Sequence, residues 1–490
     1  MTIEPLLAGV DVGTTSIKAA VYEPAGRAVA VAAVPTPVRL TPPGRTEHDA
    51  QALWDAAVAV LRDALGRVDS PDRVVSVAVA SMAEAGVPLD ESGTPTAPVI
   101  AWFDRRSDAQ ARRLADTLGA DRLRAVTGVP PQPIYGICKL AWLAEHDQDA
   151  FTRTRAWLNV ADYVAYRLCG HQATDLSLAT RTGALDLRAR RWSAEVLDAT
   201  GIPATLFAPL VSSGTALGRV TRSAARATGL PEHTVVGAGG HDHVCGALAA
   251  GVTDPGRALD SMGTAESLLV PLTAPLPTDA TTPRFSQGVH VAADRWYAAA
   301  GVHAGGASLE WALRMLDGDR AELLAEAGAV PPGAHGVVFA PHLALPGVVD
   351  GAPGALVGLT PDTDRGTVTR AVLEGLAVAA GDVLARLTAH AAPSRQTLRV
   401  IGGGTRTPLL LAIKAAVTGQ TLHRPALTEA AALGAALLGG VAAGVFPDTA
   451  AAAATVEHGG DHVVPDPAML AAYGGPVSRI RALHDALGGR

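Results

Sequence analysis

The strongest limit on how this chain can fold is a pattern that occurs twice. Near the N-terminus, LLAGVDVGTTSIKAAVYEP reads as strand, Gly-Thr turn, strand. Past the midpoint, GRALDSMGTAESLLV reads the same way, so Gly13-Thr14 and Gly263-Thr264 fall in matching turns. A chain of 490 residues is too long for one hydrophobic core. A repeated opening therefore points to two like α/β domains. Each hairpin offers backbone N–H groups and a threonine hydroxyl that can hold phosphate oxygens. A nucleotide gripped from both sides is the physical expectation.

The remainder of each half fits that plan. Pro24-Ala25-Gly26 turns the chain into a third strand. A helix is expected over 48–65, with Leu53, Ala57, Val60, Leu61 and Leu65 on one face, followed by the buried-type strand VVSVAVASM. Residues 107–230 read as mostly helical, with proline-rich joints at TGVPPQP and GIPATLFAPL. In the second half, RWYAAAGVHAGGASLEWALRML reads as strand, glycine loop, helix. DRGTVTRAVLEGLAVAAGDVLARL reads as a long helix, and TLRVIGGGTRTPLLLAIKAAVTG as strand, triple glycine, helix. The boundary is expected near 244–256, giving domains 1–246 and 247–490.

Just before that boundary lies GAGGHDHVCGALAAG, residues 237–251, in which Asp242 stands between two histidines amid Gly, Ala and Val. A charge so placed is costly without a partner or a task. One reading makes Asp242 the N-cap of a helix starting near Val244. Another makes His241 and His243 metal ligands. Alternating residues of an extended segment point to opposite faces, and no Cys or His cluster lies nearby, which argues against structural zinc.

Composition removes several classes. The net charge of −7 comes from 40 basic and 47 acidic residues with no basic run, which gives no reason to expect a nucleic-acid or membrane-surface partner. Cys138, Cys169 and Cys245 form no C-x-x-C pair, as expected of a reduced, cytoplasmic protein. MTIEPLLAGVDVG lacks the layout of a signal peptide, and the longest Ala-rich runs are short and broken by glycine. DVGTTSIK is not a GxxxxGK[ST] loop, so a Walker-type site is not expected. Gly402–Gly404 could cradle a nucleotide at a helix N-terminus. In a chain with 52 glycines that motif alone weighs little, whereas the ordered set weighs much more.

Taken in order, the motifs resemble those of the FGGY family of carbohydrate kinases, in the actin/hexokinase-like superfamily, from about residue 7 to about residue 445. GVDVGTTSIKA resembles its first phosphate loop, PVIAWFDRRSDAQA its W-x-D-x-R segment, and AGGHDHVCGALAAG its catalytic loop. KLAWL and ADYVAYRLCGHQATDLSLATRTGALDL match its first-domain pattern. SMGTAE, GVHAGGASLEW, RAVLEGLA and GGGTRTPLLLAIKAAVTGQ…EAAALGAAL match its second-domain motifs. The resemblance implies two RNase-H-like domains with a nucleotide cleft between them, closing around a sugar and ATP with Mg²⁺. It makes Asp242 the general base toward the sugar hydroxyl and puts Asp11 near the metal and phosphates. Gly13, Thr14, Thr15 and Ser16 would form the first phosphate hairpin. Lys18 stands where glycerol kinases have a basic residue, and Gly263 with Thr264 would form the second hairpin. Gly306 and Glu310 would border the nucleotide, with Gly403, Gly404 and Thr407 against its adenosine and α-phosphate.

On the sugar side, the resemblance points to Glu84, Trp102, Tyr135 and His243. Many xylulose kinases carry Gln-Met-His-Gly where this chain has Met82-Ala83-Glu84-Ala85. Glycerol kinases carry Arg-Glu there, so Glu84 resembles their glutamate while Ala83 lacks their arginine. A carboxylate accepts hydrogen bonds from two hydroxyls, which suits a ketose or polyol. The expected activity is ATP-dependent phosphorylation of a primary hydroxyl of a ketopentose such as D-xylulose. A glycerol- or erythritol-type polyol kinase, a catalytically silent sugar and nucleotide sensor, and an actin- or Hsp70-like ATPase switch remain the alternatives. Residues 476–490, PVSRIRALHDALGGR, read as a surface helix. The oligomeric state stays open, a homodimer among the options.

Overall fold

The computed structural model describes residues 4–42, 44–278, 283, 285–302, 305–341, 354–391 and 397–487. The chain groups into two compact units. The first comprises Met1–Asp254, Leu272–Tyr297 and Leu427–His458; the second comprises Pro255–Pro271, Ala298–Ala426 and Gly459–Arg490.

In the first unit, strands Leu6–Val12, Ser16–Tyr22 and Ala28–Pro35 form an antiparallel meander. Val74–Ser81 lies parallel to Leu6–Val12, and Val235–His241 lies parallel to Val74–Ser81. Ala216–Arg219 closes the far edge antiparallel. The parallel strands read as near-continuous apolar runs because both faces are covered. The expected helix forms at Ala50–Leu65, capped by the Asp49 carboxylate, which accepts from the Ala52 N–H. Leu53, Ala57, Val60, Leu61 and Leu65 are all buried.

Register decides where this sheet presents its chemistry. Val12 pairs with Ser81, and Ser81 with His241. Three parallel strands therefore end side by side, and the segments leaving them carry Gly13-Thr14, Met82–Glu84 and Asp242. Carboxyl ends of parallel strands are where open α/β sheets bind ligands.

The helix Ala430–Ala442 belongs to this first unit although it lies late in the chain. It packs on strands Leu6–Val12, Val74–Ser81 and Val235–His241. Contact is close enough that a Cβ on Gly9 would collide with the Ala432 carbonyl. Gly9→Ala should therefore destabilise by about 1–3 kcal/mol through overpacking against rigid backbone. Gly328→Ala is the control: that exposed helical glycine has nothing within 4 Å of an added Cβ, and it should hold or raise stability. Thermal melts of the two variants check the pair; an unchanged midpoint for Gly9→Ala would refute the contact.

The second unit repeats the topology. Strands Arg257–Met262 and Glu266–Leu272 form an antiparallel hairpin, with Trp296–Val302 beside the latter. Thr397–Ile401 lies parallel to Arg257–Met262, and Leu422–Pro425 parallel to Thr397–Ile401. Gly460–Val463 closes the edge antiparallel. Six of the seven strands of this sheet thus follow the first unit's order. Helices Gly305–Met315, Arg320–Ala329 and Pro408–Thr418 pack with the long helix Arg365–Ala391. No helix among the described residues is long and apolar enough to cross a membrane. The three cysteines are buried and unpaired.

Candidate active site

The first unit gathers its polar residues where the three parallel strands end. Asp11 lies one residue before the end of its strand, opposite Lys18 on the next. Its Oδ1 is buried without a hydrogen-bond partner. Burial first, then the charge of Asp242, pushes its carboxyl up to about 8, against the pull of Lys18. Lys18 Nζ donates to Glu429 at 2.6 Å, so the helix-bearing segment near residue 430 anchors the lysine.

The turn after Asp11 is braced from behind. Gly13 N–H donates to the Ser16 carbonyl at 3.1 Å, Thr36 Oγ1 to the Gly13 carbonyl at 2.7 Å, and Thr36 N–H to the Thr15 carbonyl at 3.1 Å. Trp102 Nε1 donates to Thr14 Oγ1 at 2.8 Å. The expected sugar-side tryptophan and the expected phosphate hairpin are thereby one structure.

Glu84 is buried and holds a left-handed backbone at φ +63°, unusual for a side chain other than glycine. Its carboxylate accepts from Arg181 Nε at 2.6 Å. Arg181 Nη1 donates to Ser286 Oγ at 2.6 Å, and the guanidinium sits 5.3 Å from the Tyr135 ring centroid. Sequence reasoning passed over Arg181 although it sits in ATRTG, where a lone cation among Ala, Thr and Gly was the available signal. It ends the helix Leu176–Arg181, capped by Asp175. Ser177 Oγ of that helix accepts the His241 N–H at 3.0 Å, tying the helix to the end of strand Val235–His241.

Two readings of the HDH stretch need correction. The helix begins at Asp242, and His241 occupies the cap position without a side-chain cap bond. Asp242 thus opens the first turn and its carboxylate accepts from the His243 N–H at 2.6 Å. The histidines also do not diverge. The strand ends at His241, so the two-residue alternation stops there, and the rings stand 5.4 Å apart, edge to face. Ligand atoms of His241, Asp242 and His243 all lie within 4.8 Å of one another. His241 Nε2 is 3.2 Å from the Asp242 carboxylate, and burial holds both imidazoles below their ordinary range, hence neutral. Burial, with Glu84 adding, raises the Asp242 carboxyl to about 7, while the His243 N–H and Arg181 oppose the rise. A carboxylate with that proton affinity, 23% exposed, is suited to accept a proton near neutrality.

The second unit assembles the other expected residues. Gly306 N–H donates to the Gly263 carbonyl and Ala307 N–H to the Thr264 carbonyl, each at 3.0 Å, joining the hairpin to the first turn of helix Gly305–Met315. Gly402 turns at φ +91°, where a Cβ would come within 2.8 Å of the Met262 carbonyl. Past Gly403, Gly404 lies against the same hairpin, where an added Cβ would come within 2.8 Å of Met262 Cβ, and buried Thr407 donates its N–H to the Gly404 carbonyl at 3.1 Å. Glu310 pairs with Arg320, whose Nη2 also reaches Thr407 Oγ1 at 3.3 Å. Arg320 is a second residue that sequence reasoning missed; it follows the helix-capping Asp319 and carries no motif.

The model of the N-terminal domain of the FGGY family of carbohydrate kinases matches residues 6–249, and that of its C-terminal domain matches 258–443. A glycerol kinase of Janthinobacterium sp. (strain Marseille) is 31% identical over 453 residues, 88% of this chain and 89% of that protein. An autoinducer-2 kinase of Salmonella paratyphi A is 29% identical over 496 residues, 95% of this chain and 92% of that protein. The crystal structure of xylulose kinase from Rhodospirillum rubrum superimposes with a TM-score of 0.88 at 29% identity, covering 99% of both chains.

Proposed function

The chain belongs to the FGGY family of carbohydrate kinases, and from that premise we propose that it transfers the γ-phosphoryl group of ATP to a primary hydroxyl of a small uncharged sugar, with a ketopentose such as D-xylulose as the first candidate. The observation that carries this reading is Asp242. It opens a helix at the ends of three parallel strands, its carboxyl raised to about 7, beside the Glu84–Arg181 pair.

Phosphoryl transfer asks mainly for in-line positioning and charge neutralisation. The acceptor alcohol must lose its proton as the new O–P bond forms. Asp242 would orient that hydroxyl and take the proton. Thr14 uses its oxygen to accept from Trp102, which leaves its own proton for a phosphate oxygen. The unpartnered buried oxygen of Asp11 suits a divalent cation. Mg²⁺ held by Asp11 would supply positive charge to the phosphates. Gly263, Thr264, Gly306, Gly403, Gly404 and Thr407 would bind the nucleotide on the second unit, with Glu310 at its border.

Glu84, Trp102, Tyr135 and His243 would line the sugar. Arg181 already has Glu84 and Ser286 as partners, so its charge is spent. A substrate with its own carboxylate would face Asp242 and Glu84 without that cation to receive it. A glycerol- or erythritol-type polyol is the second reading, favoured by Glu84 and by the glycerol kinase relative.

ADP release with ATP and Mg²⁺, measured across ketopentoses, glycerol, erythritol and sugar acids, tests the assignment. A ketopentose should turn over fastest, sugar acids should be inert, and ATP hydrolysis without sugar should be slow. Fastest turnover of a three- or four-carbon polyol would shift the substrate to the second reading. Rapid ATP turnover independent of any acceptor would overturn the kinase mechanism.

A further inference from the structure

The KLAWL motif has no role in the chemistry above, yet its lysine is fully buried in the helix Gly136–His146. An ammonium removed from water needs partners for three protons. Lys139 Nζ finds them in backbone carbonyls: Glu84 and Ala101 at 2.9 Å each, Trp102 at 3.4 Å and Ile100 at 3.5 Å. Among the described residues no carboxylate forms an ion pair with it. A lysine bound only to carbonyls fixes backbone, because those oxygens belong to chain segments rather than to a mobile side chain.

The two segments it joins are those that carry the expected sugar contacts. One holds Glu84, whose left-handed backbone at φ +63° needs outside support in a residue with a Cβ. The other holds Trp102, whose indole bonds Thr14. Tyr135 stands at the N-cap of the same helix, and its ring lies beneath Arg181. One helix thus supplies the floor of the Glu84–Arg181 pair and the clamp behind it.

We infer that Lys139 is a positioning residue for sugar recognition, holding the Glu84 turn and the Trp102 segment so that the Glu84 carboxylate meets the acceptor in a fixed place. This rests on the reading that Glu84 faces the sugar. A lysine that merely supports the fold would weaken stability and degrade all kinetic parameters together. A lysine that acts through Glu84 would raise the KM for sugar and spare that for ATP.

Lys139→Met removes the donors at similar length, and Lys139→Gln keeps a shorter donor. Steady-state kinetics with D-xylulose, or with the panel acceptor turned over fastest, should show the sugar KM raised by about 10–100-fold in Lys139→Met, consistent with loss of charged hydrogen bonds. The ATP KM should stay within about twofold. Lys139→Gln should fall between, and it carries the test alone if Lys139→Met does not fold. In a Glu84→Ala background, Lys139→Met should add little, because the contact it serves is already gone. If Glu84→Ala raises the sugar KM but neither Lys139 variant does, the inference fails while the sugar-side reading stands. Equal effects of Lys139→Met with and without Glu84 would also overturn it. If Glu84→Ala itself leaves the sugar KM unchanged, both fall.

Discussion

Asp242→Asn should lower kcat for sugar phosphorylation by about 10²–10⁴-fold, the range contributed by a positioned general base. The amide keeps the shape and can still accept from the His243 N–H, so the helix start should persist. What it loses is the capacity to take a proton. Wild-type kcat/KM should fall as pH drops below about 7, because burial and Glu84 raise the Asp242 carboxyl to that value and protonation removes the base. The residual activity of Asp242→Asn should lack that acid limb. Stability should move the other way. A carboxyl raised above its unfolded value favours the fold most below the unfolded value of 3.8, and that support is lost as pH rises through about 7. At pH 8 the variant, with no buried charge at 242, should therefore melt no lower than wild type. Stopped assays and melts across pH 5.5–9 on the same preparations check all three statements. A variant retaining near-full activity would remove Asp242 from the mechanism.

Asp242 could be found in sequence because a lone acid in an apolar, glycine-rich run has no cheap structural explanation. The paired hairpins could be found because a Gly-Thr turn between apolar strands is a local signal, and both are written within about ten residues. Other parts of the site are not local. Arg181 and Glu84 are 97 positions apart, and Lys18 and Glu429 are 411 apart. Such pairs exist only once the sheet has brought its strand ends together. Lys139 is hidden for a different reason: its partners are carbonyls, which every residue carries.

The convergence of His241 and His243 was missed because alternation was applied across a strand end. Period-two reasoning holds inside Val235–His241 and fails where the helix begins at Asp242. The return of helix Ala430–Ala442 to the first unit's sheet likewise has no local mark. Its small residues do hint at close packing, and Gly9 and Gly434 are where backbone approaches backbone.

The second large effect expected concerns stability rather than catalysis. Lys414 is buried in the helix that follows Gly402–Thr407, with Nζ 2.5 Å from Asp260 and 2.6 Å from Glu266. Those carboxylates belong to the two strands of the Gly263-Thr264 hairpin. The lysine therefore fastens that hairpin to the helix behind the glycine loop. Two acids and one base do not cancel, and the strain shows: burial and Asp260 raise the Glu266 carboxyl to about 8 even against Lys414, and Asp260 Oδ1 lacks a partner. Removing one member of a buried charged cluster strands the others, at a cost of about 3–5 kcal/mol. Lys414→Met should show that loss at pH 8.5. At pH 5.5 the loss should shrink, since the stranded Glu266 carboxyl, raised to about 8, can protonate: an acid raised in the fold lends stability below its unfolded value and loses it as pH rises. Adding Asp260→Asn should recover part of the deficit by removing one of the two repelling charges. Urea unfolding at the two pH values measures each step. A deficit independent of pH would mean that the lysine contributes packing alone, and that the charges around it do not hold the hairpin to the helix.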